Sequence, residues 1–216
     1  RSEGKWEKKD SIKIEYVPVT TFRHIFEVND VTKRYVEQTA NQGFYPNTYY
    51  NPTSTLDSAA CLTIKNTLSV TFEEEFNTLL KFGAMVYAMN ETQRHLSLIA
   101  HYFDSVGVPP EITFENRWTN NTYIGGALYK NRGKHVHYGF DGNVCLVGYK
   151  LGEFQVNGHL DAGFKLGKDS MTLAANVYFR NETPDYYLQT YSSNHYRWNN
   201  EFKKQYRLQA SGEIAY

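Results

Sequence analysis

From Phe154 to Leu166 the chain alternates without a break. Phe154, Val156, Gly158, Leu160, Ala162, Phe164 and Leu166 are apolar or small, and Gln155, Asn157, His159, Asp161, Gly163 and Lys165 stand between them. Side chains of a strand point to opposite faces in turn, whereas a helix repeats every ~3.6 residues, so a two-residue period held this long dictates a strand. The same period runs through Val136, Tyr138, Phe140, Gly142, Val144 and Leu146, and through Met171, Leu173, Ala175, Val177 and Phe179. Alternation marks eight strands in all, at 11–29, 61–73, 79–91, 112–129, 135–146, 154–166, 171–180 and 202–216. No helical pattern of comparable quality lies between them, and the 18 Tyr and 13 Phe suit strands.

The connections fix which residues face which. Long ones, near 30–60, 92–111 and 181–201, fall at one end of an up-and-down meander, and short ones, near 74–78, 131–133 and 167–168, at the other; only 150–152 breaks the trend. Five of the six prolines lie between strands, and Pro18 interrupts one. Asn131-Arg132-Gly133 and Lys150-Leu151-Gly152 place Gly third, as three-residue hairpin loops require, and Gly167-Lys168 has the Gly-first form of a type II′ turn. These turns predict Gly148 opposite Phe154, Phe164 opposite Met171, and Asp141 opposite Asp161.

Strands of this length can line a soluble barrel with apolar residues inward, or span an outer membrane with apolar residues outward. Strand length, the segregation of long and short loops, and aromatics near strand ends (Phe114, Trp118, Phe154, Phe164, Phe179, Phe202, Tyr206, Tyr216) favour the second. No stretch approaches the ~20 apolar residues of a membrane helix. Lys+Arg and Asp+Glu balance at 23 each, which gives no electrostatic grip on nucleic acid. Two cysteines, Cys61 and Cys145, are too few for a disulfide scaffold, and the absence of a leader pattern after Arg1 suggests a mature form or an excerpt. Eight strands close only a side-chain-filled barrel, whereas a water-filled pore takes roughly 16 to 18.

Three strings carry a resemblance: Gly43-Phe44-Tyr45-Pro46-Asn47-Thr48-Tyr49-Tyr50-Asn51-Pro52, Lys130-Asn131-Arg132-Gly133-Lys134, and Ser193-Asn194-His195-Tyr196-Arg197-Trp198-Asn199-Asn200. Together they resemble the putative porin family of Bacteroidetes outer membranes, over nearly the whole chain. The resemblance implies an all-β, antiparallel up-and-down transmembrane β-barrel, of which these eight strands form an internal segment. It implies an outer-membrane location and transfers no binding residues.

On the polar parity, Lys65, Arg117, Asp141, Asp161, His159, Lys165, Arg180, Arg207 and Glu213 are the candidate pore-lining residues. Their mixed sign predicts a general aqueous channel. His135 and His137 share a face, but the expected register sets Lys165 against His137 and leaves no third ligand, so neither metal nor cofactor is expected. No nucleophile elbow is present, and no enzymatic reaction is implied. Among the loop aromatics, Tyr49, Tyr187 and Trp198 are weak candidates for solute contact, against the plainer role of packing the loops together. Asn66 and Asn116 stand as polar exceptions on the apolar parity. The expected function is passive diffusion of small hydrophilic solutes, with lipid on the apolar face. The alternatives are a non-conducting barrel that anchors outer-membrane protein partners or a homo-oligomer, and a soluble β protein with its faces inverted.

Overall fold

A computed structural model describes residues 20–39, 43–74, 82–101, 111–166 and 169–216. Eight long strands form one antiparallel, curled half-barrel sheet. They are β1 (Thr20–Glu37), β2 (Thr55–Phe72), β3 (Gly83–His101), β4 (Glu111–Lys130), β5 (Val136–Gly148), β6 (Phe154–Leu166), β7 (Asp169–Glu182) and β10 (Gln205–Ala215). Between β7 and β10 a short helix, α1 (Tyr186–Gln189), leads into a two-stranded ribbon of β8 (Thr190–Ser192) and β9 (Arg197–Asn199). In the main sheet each strand pairs with its sequence neighbour, so the topology is a meander, with β1 and β10 at its edges. Pro18 and the Gly167-Lys168 turn lie outside the described residues.

Several strands run further than the alternation does. β1 continues to Glu37 and β2 begins at Thr55, so the connection between them is 38–54 and not 30–60. β3 continues through 92–101, a stretch expected to be loop. In these extensions the apolar parity is broken by Asp30, Thr32 and Arg34 on β1 and by Thr92 and Arg94 on β3. The ladder persists because it uses the N–H and C=O of every residue, whatever the side chain.

Two hairpin registers also differ from expectation. Phe164 pairs with Met171 as the turn chemistry predicts. Across β5 and β6, however, Asp141 pairs with Asn157 and Asp161 with His137, so the two carboxylates are not opposed. Lys165 faces Ser170, not His137. The cause lies in β4, where a register shift at Thr122/Tyr123 lets Asn121 pair with Gly148, holding the end of β5 away from β6. Residues 146–152 then make a wide turn, closed by Cys145 N–H to Glu153 O at 2.7 Å and Gly152 N–H to Cys145 O at 2.8 Å. Gly148 (φ 116°) and Gly152 (φ 77°) supply left-handed backbone that other residues resist. At the other end Lys130 pairs with Tyr138, again a wider loop than three residues. Both hairpin shifts are even, so side chains keep their expected faces up to Cys145; beyond the one-residue bulge, Val147 and Gly148 exchange faces, Gly148 pairing with inward Asn121 and Val147 with outward Thr122.

Packing is inverted relative to a soluble protein. Among the described residues the buried apolar set is Ala59, Leu98, Tyr123, Cys145 and Tyr186, while Phe26, Leu68, Val86, Trp118, Phe140 and Leu208 are exposed, Leu208 by 72%. Fully burying such a side chain is worth ~1.5–3 kcal/mol, so a face of this kind requires an apolar environment. The polar exceptions on that face satisfy one another: Asn116 Oδ1 accepts from Arg94 Nε at 2.7 Å, and Asn90 and Asn120 exchange amide hydrogen bonds at 3.0 and 3.3 Å. Asn66 pairs with Asn90 on the adjacent strand.

The opposite, polar face is the concave one, because side chains two strands apart meet across it: Asn143 on β5 donates to Tyr87 Oη on β3 at 2.8 Å. Glycines there make room for rings to lie flat on the wall. A Cβ on Gly83, Gly125 or Gly139 would collide with the ring of Tyr129, Tyr87 or His159 on the paired strand. Strand tilt also follows from register. Phe72, at the short-turn end of β2, shares a row through Ala84, Leu128, Phe140 and Gly158 with Val177, eight residues into β7. Eight rises of ~3.3 Å over five strand spacings of ~4.8 Å give a tilt of about 45°, the value of barrel walls.

Candidate pore constriction

The concave face is bridged by two connections from the long-loop end. One is 43–54, between β1 and β2; the other is 183–204, between β7 and β10. Asn194 joins them. It is fully buried, and each of its polar groups is used by the other segment or by β2. Its Nδ2 donates to Asn51 O at 2.8 Å and Thr55 Oγ1 at 3.1 Å, and its Oδ1 accepts from the N–H groups of Tyr50 (3.2 Å) and Asn51 (3.0 Å). Its own N–H donates to Asp57 Oδ1 at 2.8 Å, and its carbonyl accepts from Tyr49 N–H at 2.8 Å. An Asn side chain is suited to this because it both donates and accepts.

His195 is held with a defined tautomer. Nδ1 lies 2.9 Å from Asn47 O, which can only accept, so Nδ1 carries the proton. Nε2 then accepts from Thr55 Oγ1 at 2.7 Å, and the ring stacks on Tyr45 at 3.7 Å between centroids. Burial, reinforced by the Asp57 carboxylate that its hydroxyl donates to, pushes the Tyr50 phenol up and keeps it a donor. Tyr45 donates to or accepts from Tyr35 Oη at 2.6 Å, and that bond, with some burial, pushes its pKa up to about 12.

The β7–β10 connection reaches further still. Asp185 caps α1 by accepting from Tyr187 N–H at 2.9 Å. Tyr186 stacks on His95 of β3 at 4.2 Å, and Tyr187 Oη lies 2.5 Å from Ala60 O and 3.0 Å from Leu96 O on β2 and β3. Trp198 Nε1 donates to Tyr187 O at 2.9 Å and its ring stacks on Tyr191 at 4.7 Å. Tyr49 lies under the Arg197 guanidinium at 4.3 Å. Of the three loop aromatics, Trp198 meets Tyr187 directly, Tyr49 meets the neighbouring Arg197, and the Tyr187 hydroxyl docks on β2 and β3. From β7 to β2 is five strand spacings, about 24 Å of sheet. A connection rooted in β7 that docks on β2 and β3 therefore crosses the concave face as a crossbar.

A curled meander with an apolar outer face and a polar inner face is the form of a barrel wall of the outer-membrane type. A family model described as "Putative porin" matches residues 8–216. The chain belongs to that porin family. No curated protein and no solved structure matches it.

In this porin the polar-parity candidates all sit on the concave face, but they form several groups and not one ring. Lys65 pairs across strands with Glu91, 3.5 Å away, and Lys150 reaches the same carboxylate at 2.8 Å from the β5–β6 turn. Asn121 supports that turn, accepting from Lys150 N–H at 2.8 Å. Sequence reasoning missed Glu91 and Lys150: Glu91 sits where alternation lapses, and Lys150 lies in a turn whose width the pattern did not reveal. Asp141 accepts from Asn157 Nδ2 at 2.8 Å. Arg180 and Arg207 approach Glu182 at 3.5 and 3.9 Å, with Arg180 also 5.0 Å over the Tyr178 ring. His159 lies over Gly139, Arg117 pairs with His95, and Glu213 with Ala174.

Proposed function

We propose that this porin forms part of the wall of an outer-membrane channel for passive diffusion of small hydrophilic solutes. The observation that carries the reading is the crossbar: residues 183–204 docked across the concave, polar face by Asn194, His195, Tyr186 and Tyr187. Such a feature narrows an aqueous lumen without filling it. Strand tilt, the exposed apolar face and family membership support placement in an outer membrane, with long loops outward and short turns toward the periplasm. Lining charges of both signs, several already paired, support weak ion selectivity and transport without a chemical step.

The test is single-channel recording of the full-length, detergent-purified protein in a planar bilayer, with unequal salts for selectivity. Stable conductance steps with a reversal potential near zero are expected. A barrel that resists heat denaturation in detergent yet passes no current would overturn the channel reading in favour of a plugged scaffold.

A further inference from the structure

On β6, β7 and β10, two adjacent inward rows of the concave face carry neutral hydrogen-bonding side chains. One row is His159, Asn176 and Ser211, and the next is Asn157, Tyr178 and Gln209. These six residues line a groove of about 240 Å³. Strand spacing sets the grid at about 10 Å across the strands and 7 Å along them, the footprint of one sugar ring.

The rows on either side differ sharply. Toward the crossbar lie Gln155, Arg180 and Arg207, the two guanidiniums sharing Glu182. Toward the short turns lie Asp161, Ala174 and Glu213. A positive row above and a negative row below leave the groove as a neutral step in the lumen wall, where an ion gains little and a neutral polar solute is not disfavoured. Three amides, an imidazole, a phenol and a hydroxyl offer donors and acceptors in near balance, as do the hydroxyls of a saccharide. Asp141 adds one fixed acceptor at the edge, holding the Asn157 amide in place at 2.8 Å. The His159 ring lies on the wall because Gly139 opposite has no Cβ to displace it, and the Tyr178 ring is steadied by Arg180. Flat rings of this kind receive the apolar face of a sugar.

We infer that the grid of Asn157, His159, Asn176, Tyr178, Gln209 and Ser211 is a lumenal subsite for a neutral saccharide. The inference rests on the channel reading and names the solute class that the channel favours.

The experiment is current block of the full-length protein in planar bilayers, titrated with glucose, maltose and maltotriose, with the zwitterion glycine and the anion inorganic phosphate as comparisons. Saccharides should reduce or flicker the open current at concentrations where glycine and phosphate do not. Asn176→Ala with Gln209→Ala should raise the half-blocking concentration about tenfold, as expected for two lost neutral hydrogen bonds. Asn176→Asp, which keeps shape and adds charge, should weaken block likewise, and Thr67→Ala on the remote wall of β2 should not. Channels that conduct but ignore saccharides, or whose block survives these substitutions, overturn the subsite while leaving the channel reading intact. Silent channels overturn the channel reading. The subsite is then judged by saturation-transfer NMR of maltose with the folded, detergent-solubilised protein, where loss of signal in the double variant supports it and no signal refutes it.

Discussion

Asn194 concentrates more structural consequence than any other single side chain of the crossbar. It satisfies backbone groups of 49–51 and caps the start of β2, all without exposure to water. Asn194→Ala should strand these partners at a cost of about 2–4 kcal/mol to docking. Amide exchange should quicken at Tyr50 and Asn51, and unitary conductance should rise while the barrel keeps its heat resistance. Tyr187 makes a second residue-scale prediction. Burial pushes its phenol from the ordinary value near 10 up to about 12. A pKa raised by folding means the docked state holds the proton more tightly, so its contribution is intact below pH 10 and is lost as pH rises through about 12. Alkaline titration followed at 295 nm should show a late-ionising group of tyrosines that includes Tyr45, Tyr50 and Tyr187, and Tyr187→Phe should lower its amplitude by one tyrosine. Asn194 carries no mark of this role in the sequence. Tyr187 is read there as a packing aromatic with solute contact as the weaker alternative, and its hydroxyl donates to the carbonyls of Ala60 and Leu96.

At the scale of elements, the decisive joint is the β5–β6 turn against β3 and β4. Lys150 swings from that turn to Glu91, whose side chain is 7% exposed and already flanked by Lys65. Lys150→Met removes the nearer cation and leaves Glu91 with Lys65 and the Asn121 amide in a confined site. It should cost about 2–3 kcal/mol in urea unfolding from detergent and shift the reversal potential toward cation preference. The same turn depends on Gly148, where a Cβ would run into the Asn120 carbonyl and φ is 116°. Gly148→Ala should destabilise by about 2 kcal/mol or more, read in the same unfolding experiment, because backbone and not a pliable side chain stands in the way. Alternation placed this turn at 150–152 but could not show its width, since hydrogen bonding of Gly148 to β4 is a contact between strands and leaves no local mark.

The whole molecule is a sheet whose two faces have exchanged the usual roles. An outward aliphatic residue near the middle of the wall tests this directly. Leu68→Arg, at an exposed position on β2, should cost about 2–4 kcal/mol for folding into lipid vesicles, whereas Thr67→Arg on the concave face should cost far less. Equal penalties at the two sites would contradict a lipid-facing exterior.

Parity is legible along most of the chain. The alternation from Phe154 to Leu166 and its repeats determines the eight strands of the main sheet, their meander order and the face of nearly every side chain, because a two-residue period is local and survives any even slip of register; Val147 and Gly148, past the one-residue bulge, are the exceptions. Strand ends, the true partners of Asp141 and Asp161, and the Glu91 ion pairs were decided only by tertiary structure. Each depends on where β4 and β5 grip one another. The crossbar is the extreme case. Its docking joins residues some 140 positions apart, such as Asn194 and Thr55, through hydrogen bonds that carry no periodicity and become visible only when the sheet curls and brings them face to face.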